Sequence, residues 1–185
     1  MRGDEERYRR FLNGDDNGLR ELIDIYHAGL TLFVNGIVGD LTETEDIVQD
    51  TFVKLAVKKP CFSGKCGFKT WLYTIARNKA YNYLKRHKAR FTDQPIDELF
   101  TLSDGTDLER DYLRSKQNIA VHRAMRELNA DYFQVLYLTY FEGQDTEGAA
   151  KIMHKTKRQI GDLLYRAKKS LRDKLERAGF SYEEL

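Results

Sequence analysis

Apolar positions along this chain recur at three-and-four spacing almost throughout, the period of an amphipathic helix rather than of a strand. The turn-forming GDDNG at positions 14 to 18 precedes a stripe of Leu19, Leu22, Ile23, Tyr26, Leu30, Phe33 and Ile37, which Gly39 breaks. Thr42 and Glu45 then have the spacing of a capping box, opening a helix that buries Ile47, Val48, Phe52, Leu55 and Ala56. From Lys69 a third helix turns Leu72, Ile75, Ala76, Lys79, Ala80, Tyr83 and Leu84 to a core. Its other face carries a second stripe of Trp71, Thr74, Asn78, Asn82 and Lys85. Farther on, Leu113, Val121, Ala124, Met125 and Leu128 predict another helix, followed by a strongly apolar one from Tyr132 to Phe141 that Gly143 is placed to end. A short segment from Asp145 to Met153, a turn at His154 and Lys155, and a helix opened by Thr156 with Gln159 three positions on complete the series. That last helix has a clean stripe of Ile160, Leu163, Leu164, Ala167, Leu171 and Leu175. With two prolines and no alternating strand pattern, the chain is expected to be all-α.

Charge divides the 185 residues more sharply than hydropathy does. Residues 1–92 hold 16 basic and 12 acidic side chains, residues 93–114 hold 2 and 7, and residues 115–185 hold 13 and 10, so the middle segment alone is strongly acidic. It also contains Pro95, Gly105 and several Ser, Thr and Asp residues, which disfavour a packed element. The expected architecture is therefore two small helical domains, 1–92 and 115–185, joined by an acidic flexible linker at 93–114.

Candidate chemistry concentrates on two helices. Between Arg77 and Arg90 there are six Lys or Arg residues and no carboxylate, beside the ring of Trp71 and the amides of Asn78 and Asn82. Rings stack on unpaired bases and cations neutralise phosphates, so this face suits single-stranded nucleic acid; an ordinary solvated basic face is the alternative. In the C-terminal half, a short helix, a tight turn and a second helix bearing Lys157, Arg158, Tyr165, Arg166, Lys168 and Lys169 form the pattern of a helix-turn-helix. From Lys151 to Arg177 ten basic residues face three acidic ones, as duplex binding requires, although a helical hairpin with a solvated face has the same spacing. Glu43, Glu45, Asp46 and Asp50 crowd the start of their helix, where they favour its dipole. Asp46, Gln49 and Asp50 can equally form a polar docking surface for another protein.

Other classes find less support. No apolar run follows the charged N-terminus and nowhere do about 18 apolar residues run together, so neither a secretory signal nor membrane insertion is expected, and the protein is expected to be cytoplasmic. Cys61 and Cys66 sit in CFSGKC with no His at zinc-finger spacing, and a reducing cytosol disfavours their disulfide, so no metal site or cofactor is expected. There is no phosphate-cradling glycine loop, no His-Glu metal pair and no nucleophile with its base, which argues against an enzyme. The acids at 43–50 lie on one element, whereas a Mg²⁺ site needs carboxylates converging from several.

Taken in order, NGDDNGLRELIDIY, TETEDIVQDTFVKLA, FKTWLYTIARNKAYNYLKR, LNADYFQVLYLTYFEGQDTEGAAKIM and TKRQIGDLLYRAKKSLRDKL resemble the extracytoplasmic-function sigma factors, the two-domain members of the sigma-seventy class. EDIVQDTF followed about 16 residues later by FKTWLYTIARN carries most of the specificity. The resemblance implies a subunit that binds core RNA polymerase, recognises promoter DNA and promotes initiation by melting and capturing the minus-ten element. It implies core-polymerase contacts at Asp46, Gln49, Asp50 and Phe52, resolving the docking ambiguity. It implies a specificity loop from Lys58 to Gly67 and contacts to the melted non-template strand from Phe62, Lys65, Trp71, Thr74, Asn78, Lys79, Asn82 and Lys85. Contacts to the duplex minus-thirty-five element would come from Lys157, Arg158, Gln159, Tyr165, Arg166 and Lys169. An anti-sigma factor is an implied partner, and the free chain is expected to be a monomer. Departures from the family pattern are the loop CFSGKC, Asn129 for a frequent proline, His154 for a frequent turn glycine, and Gly161, Asp162 and Leu163 where basic or hydroxyl side chains are common. A stand-alone helix-turn-helix regulator is the alternative reading; it accounts for residues 130–177 and leaves the N-terminal half unexplained.

Overall fold

In the computed structural model residues 2–87, 121 and 123–178 are described, and among them the regular structure is helical throughout. The elements are α1 (Arg2–Leu12), α2 (Asp16–Val38), α3 (Leu41–Lys58), α4 (Phe68–His87), α5 (Ala130–Leu136) running into a π-helical turn at Tyr137–Phe141, α6 (Thr146–Met153) and α7 (Lys157–Arg177). The expected linker at 93–114 lies outside the described residues, as does Leu113.

Helix α2 is the spine of the N-terminal half, packing on α1, α3 and α4. Its apolar stripe is buried as its spacing predicts, with Leu22, Leu30 and Phe33 fully so. Asp15 caps its first turn and Gly39, at φ 79°, closes the last. Helix α1 escapes the periodicity because only Tyr8 and Phe11 anchor it in the core. Ion pairs complete its attachment: Arg7 and Arg10 both reach Glu21, and Arg10 also reaches Asp15.

The capping box expected at Thr42 and Glu45 is not the one that forms. Asp40 caps α3, its carboxylate accepting from the Glu43 amide at 3.0 Å, so the helix starts two residues earlier and Thr42 lies inside the first turn. Two candidate caps stand two residues apart here; the left-handed Gly39 delivers the chain directly to Asp40, and Asp is at least as good a cap as Thr. The box at Thr156 and Gln159 does form in both directions. Asn129 caps α5 and Asp145 caps α6.

The two halves do not stand apart. A single apolar core runs from Tyr8 to Ala167, with α5 lying on α2 and α6 on α4. The ring of Phe133 occupies the space beside Gly36, where any Cβ would fall inside it. Phe133, Tyr137 and Phe141 stack in sequence at 5.5 Å centroid spacing, and the Tyr137 hydroxyl donates to the Gly29 carbonyl at 3.1 Å.

Candidate nucleic-acid interface

Helix α3 presents Asp46, Gln49 and Asp50 to solvent, and Val53 and Val57, 47% and 75% exposed, continue the same stripe one and two turns on. Phe52 is not on that face: it is 6% exposed and stacks near His27, so it supports the stripe from beneath.

On α4 the expected outer stripe divides. Asn82 and Lys85 are exposed. Trp71 is half-buried in an aromatic cluster with Tyr8, Phe62 and Phe68, its ring 5.3 Å from Phe62 and 5.5 Å from both Tyr8 and Phe68. Phe62 belongs to the same cluster, so the loop after α3 rests its one ring on the helix that follows. The Tyr8 hydroxyl anchors that loop by donating to the Pro60 carbonyl at 2.7 Å, and burial pushes this phenol up to about 12. Lys65 is exposed at the loop's tip, and Cys61 and Cys66 are both free thiols. Thr74 turns its hydroxyl back to the Thr70 carbonyl at 2.7 Å. Lys79 pairs with Asp50 of α3 at 3.2 Å.

The helix-turn-helix is present as spaced. α6 and α7 are joined by His154, Lys155 and Thr156, with His154 in the left-handed region at φ 54°, the backbone shape a turn glycine would give. Arg158, Tyr165, Arg166 and Lys169 project from α7 into solvent, Tyr165 being 73% exposed. Lys157 bonds Glu147 of α6 at 2.8 Å; this lysine, with Lys151, holds the Glu147 carboxyl down at about 2. Gln159 spends its side-chain carbonyl on the capping box, leaving only its NH₂ for a base.

Residues to which the sequence assigned no role between the halves hold them together. Arg77, 9% exposed, donates Nε–H to the Gln134 carbonyl oxygen at 2.7 Å and lies over the Tyr81 ring at 4.3 Å. The fully buried Gln134 amide donates to Tyr81 Oη at 3.0 Å and to the Ala130 carbonyl at 2.9 Å. Lys69 pairs with Glu142 at 2.6 Å, and Thr70 donates to Gln144 at 2.9 Å. At the turn of the helix-turn-helix, His154 Nε2 lies 2.8 Å from Asn78 Oδ1. A glutamine inside the apolar run 132–141 and the glycines at 29 and 36 inside α2 were the available signals, since a buried amide needs partners and a helical glycine costs about 1 kcal/mol unless something approaches closely. Among the described residues no group of His, Cys, Asp and Glu could hold a metal ion, and no helix is long and apolar enough to cross a membrane.

Comparison with known proteins accounts for both halves. Residues 22–90 match the family model of Sigma-70 region 2, and residues 118–171 match that of Sigma-70, region 4. The chain is 28% identical over 176 residues to the RNA polymerase sigma-H factor of Pseudomonas aeruginosa, covering 91% of each chain. It is 27% identical over 187 residues to the ECF RNA polymerase sigma-E factor of Haemophilus influenzae, covering 94% of this chain and 95% of that one. Its fold matches the sigma factor RpoE of Bartonella quintana, solved in complex with the anti-sigma factor NepR, with a TM-score of 0.65 and 25% identity over 85% of this chain and 96% of the other.

Proposed function

From the premise that the chain belongs to the sigma-70 class of bacterial RNA polymerase sigma factors, in its extracytoplasmic-function group, we infer how its surfaces divide the work of initiation. Members of this class are initiation factors without a reaction of their own. Residues 1–92 dock on core polymerase and hold the minus-ten element, residues 93–114 connect, and residues 115–185 read the minus-thirty-five element. The exposed stripe of Asp46, Gln49, Asp50, Val53 and Val57 supports the docking role, since it joins charges that steer to apolar groups that bind.

Capture of the melted strand falls to Asn78, Lys79, Asn82 and Lys85, with Trp71, Thr74, Phe62 and Lys65 beside them. Unpaired bases expose edges that amides can bond and faces that rings can cover, and this binding offsets lost stacking of about 1.4 kcal/mol per step. Lys157, Arg158, Tyr165, Arg166 and Lys169 meet the duplex, with Gln159 contributing its NH₂. The fold it shares with the Bartonella quintana complex supports an anti-sigma partner, and a cytoplasmic location follows from work on chromosomal promoters.

The observation that carries this reading is that α3 and α4 expose separate stripes, one acidic and apolar, the other amide-rich and cationic. The test is transcription from genomic fragments by core polymerase with the purified chain. Asp46→Lys with Asp50→Lys is expected to abolish co-elution with core polymerase while leaving the fold intact. Asn78→Ala with Asn82→Ala is expected to keep co-elution and lose open complexes, read by permanganate reactivity of unpaired thymines. If both pairs lose both properties equally, the division is wrong.

A further inference from the structure

We propose that the cleft bounded by α4, the start of α5, the turn before α7 and α7 itself is a binding site for a nucleoside phosphate. Such a site uses none of the residues assigned to polymerase or promoter and goes beyond that reading.

The cleft lies on the seam between the halves and has a volume of about 630 Å³, within the range of small-ligand sites. Arg77 and Tyr81 line it from α4, Asp131 and Tyr132 from α5, Lys155 from the turn and Leu163 from α7. Its central feature is a charge without a counter-charge. Arg77 is 9% exposed, yet among the described residues no carboxylate pairs with it. Its Nε–H goes to the neutral Gln134 amide oxygen, and its two terminal nitrogens meet no acceptor among the described residues. A guanidinium taken this far out of water is costly unless an anion joins it. The two nitrogens left over are the fork that grips two oxygens of one anionic group. The Gln134 bond at 2.7 Å and the Tyr81 ring at 4.3 Å hold that fork in place, so an anion is met by a side chain already ordered.

The other lining residues choose among anions. Lys155 brings a second cation to the cleft, its ammonium 3.1 Å from the Asp131 carboxylate. Two cations suit the nearly double charge of a phosphate better than the single charge of a carboxylate. A bare inorganic anion would meet Asp131 as a repulsive neighbour, whereas a ribose hydroxyl or a base amine gives that carboxylate a hydrogen to accept. Tyr132 and Leu163, both half-buried, offer apolar surface to a planar base. Phosphate at Arg77 and Lys155, sugar or base edge at Asp131 and ring against Tyr132 together describe a nucleotide.

The test is equilibrium dialysis of the full chain against radiolabelled ADP and GDP, with pyrophosphate and adenosine as competitors. The expected result is saturable binding of one nucleotide per chain, displaced more readily by pyrophosphate than by adenosine, and a melting temperature that rises with nucleotide concentration. Lys155→Ala is expected to weaken binding about tenfold, the loss of one charge-assisted contact. Arg77→Lys, which keeps the charge and loses the fork, should weaken it as well; if that chain does not fold, Lys155→Ala carries the test. Asp131→Asn should weaken ADP and GDP while pyrophosphate binds at least as tightly as before. Arg158→Ala, on the exposed face of α7, controls for loose attraction to a basic surface and should change nothing. No saturable binding up to about 1 mM nucleotide, the weak end of specific affinity, overturns the proposal. Equal losses in Arg158→Ala and Lys155→Ala overturn it too, as does pyrophosphate binding with ADP and GDP no tighter. None of these outcomes bears on co-elution with core polymerase, so the promoter assignment stands or falls by its own test.

Discussion

Helices α4 and α7 are nearly equal in length, 20 and 21 residues, and both carry cationic side chains. They differ in how many sides are covered. α7 buries Ile160, Ala167 and Leu175 along one line, with Leu163, Leu164 and Leu171 packed partly buried beside them, and leaves its cationic face to solvent. α4 buries Leu72, Ile75, Ala76 and Ala80, and Tyr73 against Phe33 of α2, and it also buries Thr70 and Arg77, which bond Gln144 and Gln134 of the other half. The same reading rule, one apolar stripe and one free face, therefore describes α7 and misdescribes α4. Tyrosine and arginine pass for surface in a sequence because each joins an apolar body to a polar tip, and either end can find its partner inside a protein.

The contrast can be broken by mutation, beginning where the loss should be greatest. Leu72→Ala, on the fully buried first face of α4, is expected to cost about 2–5 kcal/mol in urea unfolding. Arg77→Ala, on the second face, is expected to cost about 1–3 kcal/mol, because Gln134 keeps its burial and loses a partner. The comparable change on α7, Arg158→Ala, should stay within about 0.5 kcal/mol. If Arg77 proved as replaceable as Arg158, α4 would have one buried side in solution and the contrast would vanish. The smallest effect has the opposite sign. Nothing lies within 4 Å of a Cβ at Gly161, so Gly161→Ala should stabilise by up to about 1 kcal/mol, seen as a higher melting temperature. A lower one would mean that the outer face of α7 has a neighbour.

These cases also mark what could be read before the coordinates. Stripes such as Leu22 to Ile37 and Ile160 to Leu175 were legible because each is long, regular and bounded by strong punctuation, a left-handed glycine in one case and a reciprocal cap in the other. Helix α1 was not, since two buried rings cannot make a period and its hold on α2 is ionic. The cap of α3 was misplaced because local spacing allowed two answers and the preceding turn chose between them. Exposed candidates such as Asn82, Lys85, Arg158 and Tyr165 stood where the spacing put them. Phe52 and Gln159 also stood where the spacing put them, Phe52 on the buried face of α3 and Gln159 in the capping box of α7. The seam was the least legible part: Gly36 and Phe133 are nearly a hundred residues apart in the chain, and no local pattern couples them.

The bond between Asn78 and His154 has a consequence for descent rather than for mechanism. If Asn78 reads the minus-ten element as proposed above, a substitution there that retunes its base preference also changes what His154 of the other half touches. A lineage exploring new minus-ten sequences through position 78 must therefore accept or repair the effect at position 154.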